Sequence, residues 1–249
     1  NQTTSNQHFF SELGQRIIKT TSRLSALGRL YEIDARLRPT GKSGALATSL
    51  DELIRYFAMG SGQLWERQAL CKARVVYGSP RMTRTARSTL CQAAFDHRWQ
   101  RADAEEVRRM RHRLDDTTSG GNVKRGPGGI VDIEFLVQML QLKHGRRNVR
   151  VRTPNTLAAL AALAQAEALS AADAEFLAES YRFLRTIEGR LRLMNSTARD
   201  KLPDDPTELA KLAHLLRVPG SDAVLADFNR YTGETRARFD RIFDAEAGG

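Results

Sequence analysis

Apolar residues recur every three or four positions along most of this chain, which is the spacing of amphipathic helices. This pattern is present near the N-terminus, between residues 8 and 24, and it is the only regular pattern after residue 80. Ser49 and Glu52 have the spacing of a capping box that opens a helix. Further along, we predict helices over the segments 50–59, 81–99, 103–114, 131–143, 156–167, 171–194, 206–216 and 223–245.

A period-two pattern replaces the helical one between residues 31 and 38. Apolar positions alternate there with charged ones, as Tyr31, Ile33, Ala35 and Leu37 against Glu32, Asp34, Arg36 and Arg38. The alternation predicts a half-buried strand. A turn-rich loop over residues 39–44, which carries Lys42, and a short second strand over residues 45–48 are expected to follow.

This charged strand has two interpretations. Carboxylates beside a cationic, glycine-rich loop suit Mg²⁺ and a triphosphate, because oxygen atoms bind the metal while Arg, Lys and backbone amides neutralise phosphate. The alternative is a solvated edge strand whose charges pair with their neighbours. Spacing alone favours the alternative.

A glycine-rich connector over residues 117–129 leads into the apolar helix 131–143. Glu134, Gln138 and Gln141 share one face of that helix, at positions i, i+4 and i+7. Such a polar stripe indicates either a face turned toward a cleft or polar groups that bond within a helix–helix interface. On the later helix 171–194, four charged residues predict a solvated or ion-paired face, and these are Arg185, Glu188, Arg190 and Arg192.

The composition adds a net charge of +10, with arginine dense over residues 108–113 and 146–152. Aromatic residues do not interleave these runs and no nucleic-acid motif is recognisable, so we expect no nucleic-acid partner. No stretch approaches the roughly 20 apolar residues that cross a bilayer, so no membrane association is expected. Cys71 and Cys91 lack metal or disulfide spacing and fit a reducing cytoplasm, and the five histidines lack paired ligand spacing.

Four blocks of the sequence carry a family resemblance. They read L-Y-E-I-D-A-R-L-R-P-T-G-K-S-G at 30–44, W-E-R-Q-A-L-C-K-A-R-V-V-Y-G at 65–78, G-P-G-G-I-V-D-I-E-F-L-V-Q at 126–138 and, more loosely, Y-R-F-L-R-T-I-E-G-R-L-R-L at 181–193. In this order they resemble the glutamine synthetase adenylyltransferase/adenylyl-removing enzyme family of the nucleotidyltransferase superfamily. Members carry two similar halves, one adding AMP to glutamine synthetase and one removing it. The sequences of these blocks more closely resemble the adenylylating half.

The resemblance also implies the organisation of the chain. The family places two metal-binding aspartates in a G-S-D-x-D-like motif upstream of the strand that holds Asp34, and residues 1–28 contain no such motif. We therefore expect a fragment that is inactive, or nearly so, when isolated. The expected fold class is α+β and predominantly α. Residues 1–79 would be the C-terminal part of a nucleotidyltransferase α/β domain, and residues 80–249 an all-α helical bundle.

The chemistry implied by the resemblance is in-line attack of a glutamine synthetase tyrosine on the α-phosphorus of ATP, assisted by Mg²⁺. Asp34 would be the third metal-binding carboxylate, with Glu32 beside it. Arg36 and Arg38 would offset developing charge, or else lock these two carboxylates in place. The remaining expected contacts are to the nucleotide: Lys42, Lys124 or Arg125 on phosphate, and Asp132 or Glu134 shaping the site.

Glutamine synthetase and the PII signalling protein are the partners that the resemblance implies, in the cytoplasm. Two other functions stay open at this point. One is phosphorolytic removal of AMP from modified glutamine synthetase. The other is a non-catalytic module that docks glutamine synthetase or PII through its basic face.

Overall fold

The computed structural model describes residues 5–26, 28–29, 32–115, 120–195 and 199–248. The chain is predominantly helical over these residues, as predicted. It forms two compact units, Asn1–His97 and Arg98–Gly249.

Within its described residues, the first unit contains four α-helices and one hairpin, whose two strands have two residues each. In chain order the elements are α1 (Asn6–Ser22), β1 (Leu24–Ser25), β2 (Gly28–Arg29), α2 (Leu50–Ala58), α3 (Leu64–Leu70) and α4 (Pro80–Phe95). The predicted capping box opens α2, since the Ser49 hydroxyl accepts from the Glu52 amide while the Glu52 carboxylate accepts from the Ser49 amide. Helices α2 and α3 pack on α4, and buried Arg67 of α3 donates to the carbonyl of Phe57.

The prediction of a strand over residues 31–38 is wrong for residues 32–38, which are the part that the structure describes. Residues 32–38 form neither strand nor helix, and Tyr31 lies outside the described residues. A strand requires a partner for its backbone N–H and C=O groups, and among the residues that the structure describes β1 and β2 pair with each other and with no further strand. The second strand expected over residues 45–48 is absent for the same reason. The nucleotidyltransferase α/β layout therefore stays a prediction.

The described residues of the second unit contain six α-helices. They are α5 (Arg101–Asp115), α6 (Ile130–Gly145), α7 (Thr156–Gln165), α8 (Ala171–Met194), α9 (Pro206–Leu216) and α10 (Ser221–Gly248). Each begins near its predicted start, and α8 and α9 match the prediction at both ends. Residues 117–119 of the predicted connector lie outside the described residues.

Helix α6 is the centre of the second unit. It contacts α5, α7, α8 and α10, and most of its sixteen residues are buried. None of its residues is fully exposed, and polar Asp132, Gln138 and Gln141 are buried among the apolar ones, so its neighbours enclose it. The core of this unit is therefore built around α6.

The domain boundary expected at residue 79 stays a prediction. In the structure α4 packs on α2 and α3, so the first compact unit includes this helix and ends at His97. Among the described helices, none combines the length and apolar character needed to span a bilayer.

Candidate functional site

Asp34 lies in the irregular segment that follows the hairpin, with about half of its side chain exposed. The Nε of Arg36 lies 2.8 Å from both carboxylate oxygens of Asp34, and the backbone amide of Arg36 donates to Oδ1 at 3.0 Å. These hydrogen bonds, helped by the nearby charge of Lys42, lower the pKa of Asp34 to about 2. Asp34 is therefore an ionised, accessible carboxylate at neutral pH.

Arg38 folds back onto the loop that follows it. Its guanidinium donates to the carbonyls of Lys42 and Gly44, each at 3.0 Å, and to the carbonyl of Ala35. Thr40 has a positive φ of 60° and begins a short 3₁₀ turn over Gly41–Ser43. Arg38 thereby fixes the loop conformation, and the Lys42 side chain on that loop is exposed.

A buried carboxylate attaches this loop to the helices of the first unit. Glu66 of α3 is 5% exposed and accepts from the Thr40 amide at 2.9 Å, the Gln63 amide at 2.8 Å and the Tyr56 hydroxyl at 2.9 Å. Burial, together with the Glu66 carboxylate, raises the pKa of Tyr56. Sequence reasoning missed Glu66 as an anchor; its position three residues after Gln63, like that of a capping-box residue, was the available signal.

The second unit contains the other predicted site residues, around the connector before α6. The Asn122 carboxamide oxygen accepts from the amides of Lys124 and Arg125, at 3.0 and 2.7 Å. This turn presents the Lys124 side chain partly exposed and that of Arg125 exposed. The Gly128 amide then donates to the Asp132 carboxylate at 2.6 Å.

Gly128 is required where it stands. It has a φ of +71°, and a Cβ atom added there would lie 1.8 Å from the carbonyl oxygen of Thr232 in α10. Glycine is the residue that tolerates both the left-handed conformation and this close backbone approach.

Beneath the connector lies a buried charge cluster, which consists of Arg111, Asp115, Asp132 and Arg236. Arg111 and Asp132 are fully buried and form an ion pair. Arg236 bridges the two carboxylates, at 2.9 Å from Asp115 and 3.4 Å from Asp132. Arg111 also donates to the carbonyls of Arg125 and Gly126, so the cluster fixes the backbone that presents Lys124.

The polar stripe of α6 bonds inside the helical packing. Glu134 accepts from the Tyr181 hydroxyl of α8 at 3.0 Å, and burial raises the pKa of Tyr181. Gln141 donates to the carbonyls of Val151 and Thr153, at 2.6 and 2.8 Å. These contacts are those expected of the interface alternative, and a role for Glu134 toward nucleotide stays a prediction.

The structure thus brings Asp34, Arg36 and Lys42 together within the first unit. Lys124 and Arg125 are neighbours within the second. The part of the chain that the structure describes contains no group of three or more His, Cys, Asp and Glu side chains placed to hold a metal. The site assignments made from the sequence stay predictions.

Comparison with known proteins gives two family matches. Residues 1–89 match the family described as glutamate-ammonia ligase adenylyltransferase. Residues 97–245, more than half of the chain, match the family described as GlnD PII-uridylyltransferase. The two matches meet close to the division between the compact units.

Similar curated proteins carry the name bifunctional glutamine synthetase adenylyltransferase/adenylyl-removing enzyme. The chain is 33% identical to that of Streptomyces coelicolor over 94% of its own length and 24% of the relative. It is 34% identical to that of Streptomyces avermitilis over 88% and 22%, and 33% identical to that of Hahella chejuensis over 93% and 24%. The chain therefore spans about a quarter of the length of these relatives.

Proposed function

Because the chain belongs to the glutamine synthetase adenylyltransferase/adenylyl-removing enzyme family, with a helical unit of the GlnD PII-uridylyltransferase family, we propose that it takes part in AMP transfer. The substrate would be a tyrosine of glutamine synthetase and the donor ATP. The residues in the four sequence blocks support assignment to the adenylylating half of the family. The reaction is a proposal for the full-length protein.

The observation that carries this proposal is the state of Asp34. Its carboxylate is exposed, ionised and flanked by the cations of Arg36 and Lys42. Glu66 in the same unit is by contrast enclosed, and its oxygens accept from the Thr40 amide, the Gln63 amide and the Tyr56 hydroxyl. Asp34 is instead held in one orientation by Arg36 and open to a ligand.

The proposed reaction forms one bond to phosphorus and breaks one. The tyrosine oxygen bonds to the α-phosphorus of ATP, the bond from that phosphorus to the bridging oxygen breaks, and pyrophosphate leaves. The tyrosine O–H bond also breaks, and its proton passes to a solvent water molecule. Arg36 and Lys42 would balance the negative charge that develops at the α-phosphate, as positioned cations do in phosphoryl transfer.

The donor set near Asp34 fits Mg²⁺, which takes oxygen ligands and is held by one or two protein carboxylates together with substrate phosphates and water. Asp34 and Glu32 would be those carboxylates, and both are exposed. When bound, Mg²⁺ would neutralise phosphate charge and act as a Lewis acid.

In the second unit, we assign phosphate contact to Lys124 or Arg125. Both side chains reach solvent from a connector whose backbone is fixed by Arg111 and Asn122. Asp132 or Glu134 would help to shape the site. PII is a proposed partner because the helical unit matches a family described by its action on PII. A cytoplasmic location agrees with the free Cys71 and Cys91.

A second candidate function is removal of AMP. It is favoured by the name of the relatives, which includes an adenylyl-removing enzyme. In that reaction phosphate would attack the AMP–tyrosine linkage, releasing ADP and the free tyrosine hydroxyl.

The test uses the full-length protein with Mg²⁺, labelled ATP and unmodified glutamine synthetase. Wild type is compared with Asp34→Asn and with a matched control, Asp51→Asn, which changes another exposed carboxylate of the first unit. We expect AMP transfer by wild type and control, and its loss in Asp34→Asn with an unchanged circular dichroism spectrum.

Transfer retained by Asp34→Asn would overturn the assignment of Asp34. If wild type transfers no AMP, but releases it from modified glutamine synthetase when phosphate is added, the AMP-removing function replaces the one proposed.

A further inference from the structure

Three cations converge on one carboxylate at the surface of the second unit, in a group that we name the Glu188 cluster. It comprises Glu188, Arg185 and Arg192 of α8, and Lys124 of the connector. Arg185 Nη1 lies 2.6 Å from Oε2 of Glu188, and Arg192 Nη2 lies 2.8 Å from Oε1. Lys124 Nζ lies 4.0 Å from Oε1.

The burial of the four side chains is unequal. Only 3% of the Glu188 side chain is exposed, whereas Arg185 and Arg192 are each about half exposed and Lys124 is 36% exposed. Burying a carboxylate is costly unless opposite charges and hydrogen bonds compensate. Glu188 therefore holds three cationic head groups together from below, while their outer sides face solvent.

The cluster contains more cations than are needed to balance the charge of Glu188. One cation balances one carboxylate, so the cluster retains two positive charges at a single point. Glu188 is also the one hydrogen-bond acceptor of both guanidiniums in the part of the chain that is described. Several N–H donors of Arg185 and Arg192 are therefore available to a ligand.

A phosphoryl group has the matching chemistry. It carries up to two negative charges and three acceptor oxygens, and guanidinium forks bind such oxygens in bidentate fashion. A carboxylate ligand would neutralise only one of the two charges. We propose that the Glu188 cluster is a binding site for a phosphoryl group, gripped by Arg185, Arg192 and Lys124.

This inference rests on the part of the proposed function that gives Lys124 a phosphate contact, and it adds two arginines from α8 to that contact. The phosphoryl group can come from a free anion, phosphate or pyrophosphate, or from a nucleotide. These sources share the same binding chemistry, so the experiment includes each of them.

Titration calorimetry of the full-length protein without Mg²⁺, at about 0.15 M ionic strength, tests the site with phosphate, pyrophosphate and ATP. The variants are Arg185→Gln and Arg192→Gln. The matched control is Arg182→Gln, which removes an exposed arginine from the same helix outside the cluster. Each cluster variant leaves Glu188 with one arginine and Lys124 as partners, and circular dichroism checks the folding of every variant.

We expect the wild-type protein to have an anion site that depends on Arg185 and Arg192. Each cluster variant should weaken it about tenfold or more, because a charge-assisted hydrogen bond is lost, whereas the control should leave it unchanged. Binding of phosphate or pyrophosphate with this dependence identifies a free anion as the source. The same dependence for ATP alone identifies a nucleotide.

Absence of binding by all three ligands, or equal affinities in the cluster variants and Arg182→Gln, would overturn the inference. The outcome is separable from that of the proposed function. If the protein transfers AMP but has no arginine-dependent anion site, only the proposal that the Glu188 cluster binds a phosphoryl group is refuted. An arginine-dependent site in a protein that transfers no AMP defeats only the proposed function.

Discussion

Substitution of Arg111 by methionine tests whether the buried charge cluster stabilises the second unit. Arg111 is fully buried, and its guanidinium contacts four groups. It forms ion pairs with Asp115 and Asp132, and it donates to the carbonyls of Arg125 and Gly126 at 2.9 and 3.0 Å. Methionine is nonpolar and retains the unbranched, apolar part of the side chain, so the substitution removes the guanidinium and these contacts.

The expected loss follows from these contacts. Removing one partner of a buried ion pair costs about 3–5 kcal/mol. Arg236 remains 3.4 Å from Asp132, so this carboxylate keeps one cation and the loss falls at the lower end of that range. We expect Arg111→Met to lower the free energy of unfolding by about 3 kcal/mol, which corresponds to a melting temperature lower by about 6–12 °C.

Urea unfolding followed by circular dichroism measures this loss against a control on the same helix. Arg109→Met removes an exposed arginine whose pair with Glu105 spans 3.6 Å, so it should cost about 0.5 kcal/mol or less. Adding Asp132→Asn to Arg111→Met should not destabilise the protein further, because it discharges a carboxylate that has lost its main partner. If Arg111→Met is as stable as Arg109→Met, the cluster does not stabilise this unit.

Other predictions concern glycine, pKa and thiol reactivity. Gly128→Ala should lower the free energy of unfolding by more than about 2 kcal/mol, because the added Cβ atom clashes with the backbone of Thr232. Gly189→Ala lies on an open part of α8 and should raise the free energy of unfolding by about 0.5–1 kcal/mol. Urea unfolding measures both changes. Arg36→Gln should return the pKa of Asp34 from about 2 toward 3.8, as followed by carbon-13 NMR of its carboxyl group. Because folding depresses that pKa, the associated stability is present above pH 4 and is lost as the pH falls toward 2. Burial raises the pKa of Cys71 to about 12, so iodoacetamide at pH 8 should modify it only after denaturation.

The helices of this chain were predictable because a helix satisfies its backbone within its own segment. Apolar spacing and local caps, such as Ser49 with Glu52, therefore placed most of them. Helix α3 was not among the predicted helices, and the helix predicted over residues 81–99 ends at Phe95. The strand over residues 31–38 was not predictable in the same way, since alternation states which side chains could share a face but not whether a partner strand lies beside them.

The candidate site shows the same division between local and distant contacts. The Asp34–Arg36 contact spans two residues and lies within the predicted segment. Glu66 acts on Thr40 across 26 residues, and Arg111 is one member of the arginine run over residues 108–113, in which an arginine can pair with an acidic residue of its own helix. Arg109 does pair with Glu105 in this way, but which arginine of a run becomes buried depends on tertiary packing.

The enclosure of α6 has a consequence for how the second unit opens. Each side of this helix is covered by a different neighbour, so no single helix can detach and expose its amides completely. Amide hydrogens of α6 should therefore exchange with solvent chiefly when the whole unit unfolds, and far more slowly than those at the ends of α8 or α10. Their exchange rate would then report the global stability of the unit. A ligand that binds the folded unit would slow the exchange of these amides even without contacting α6.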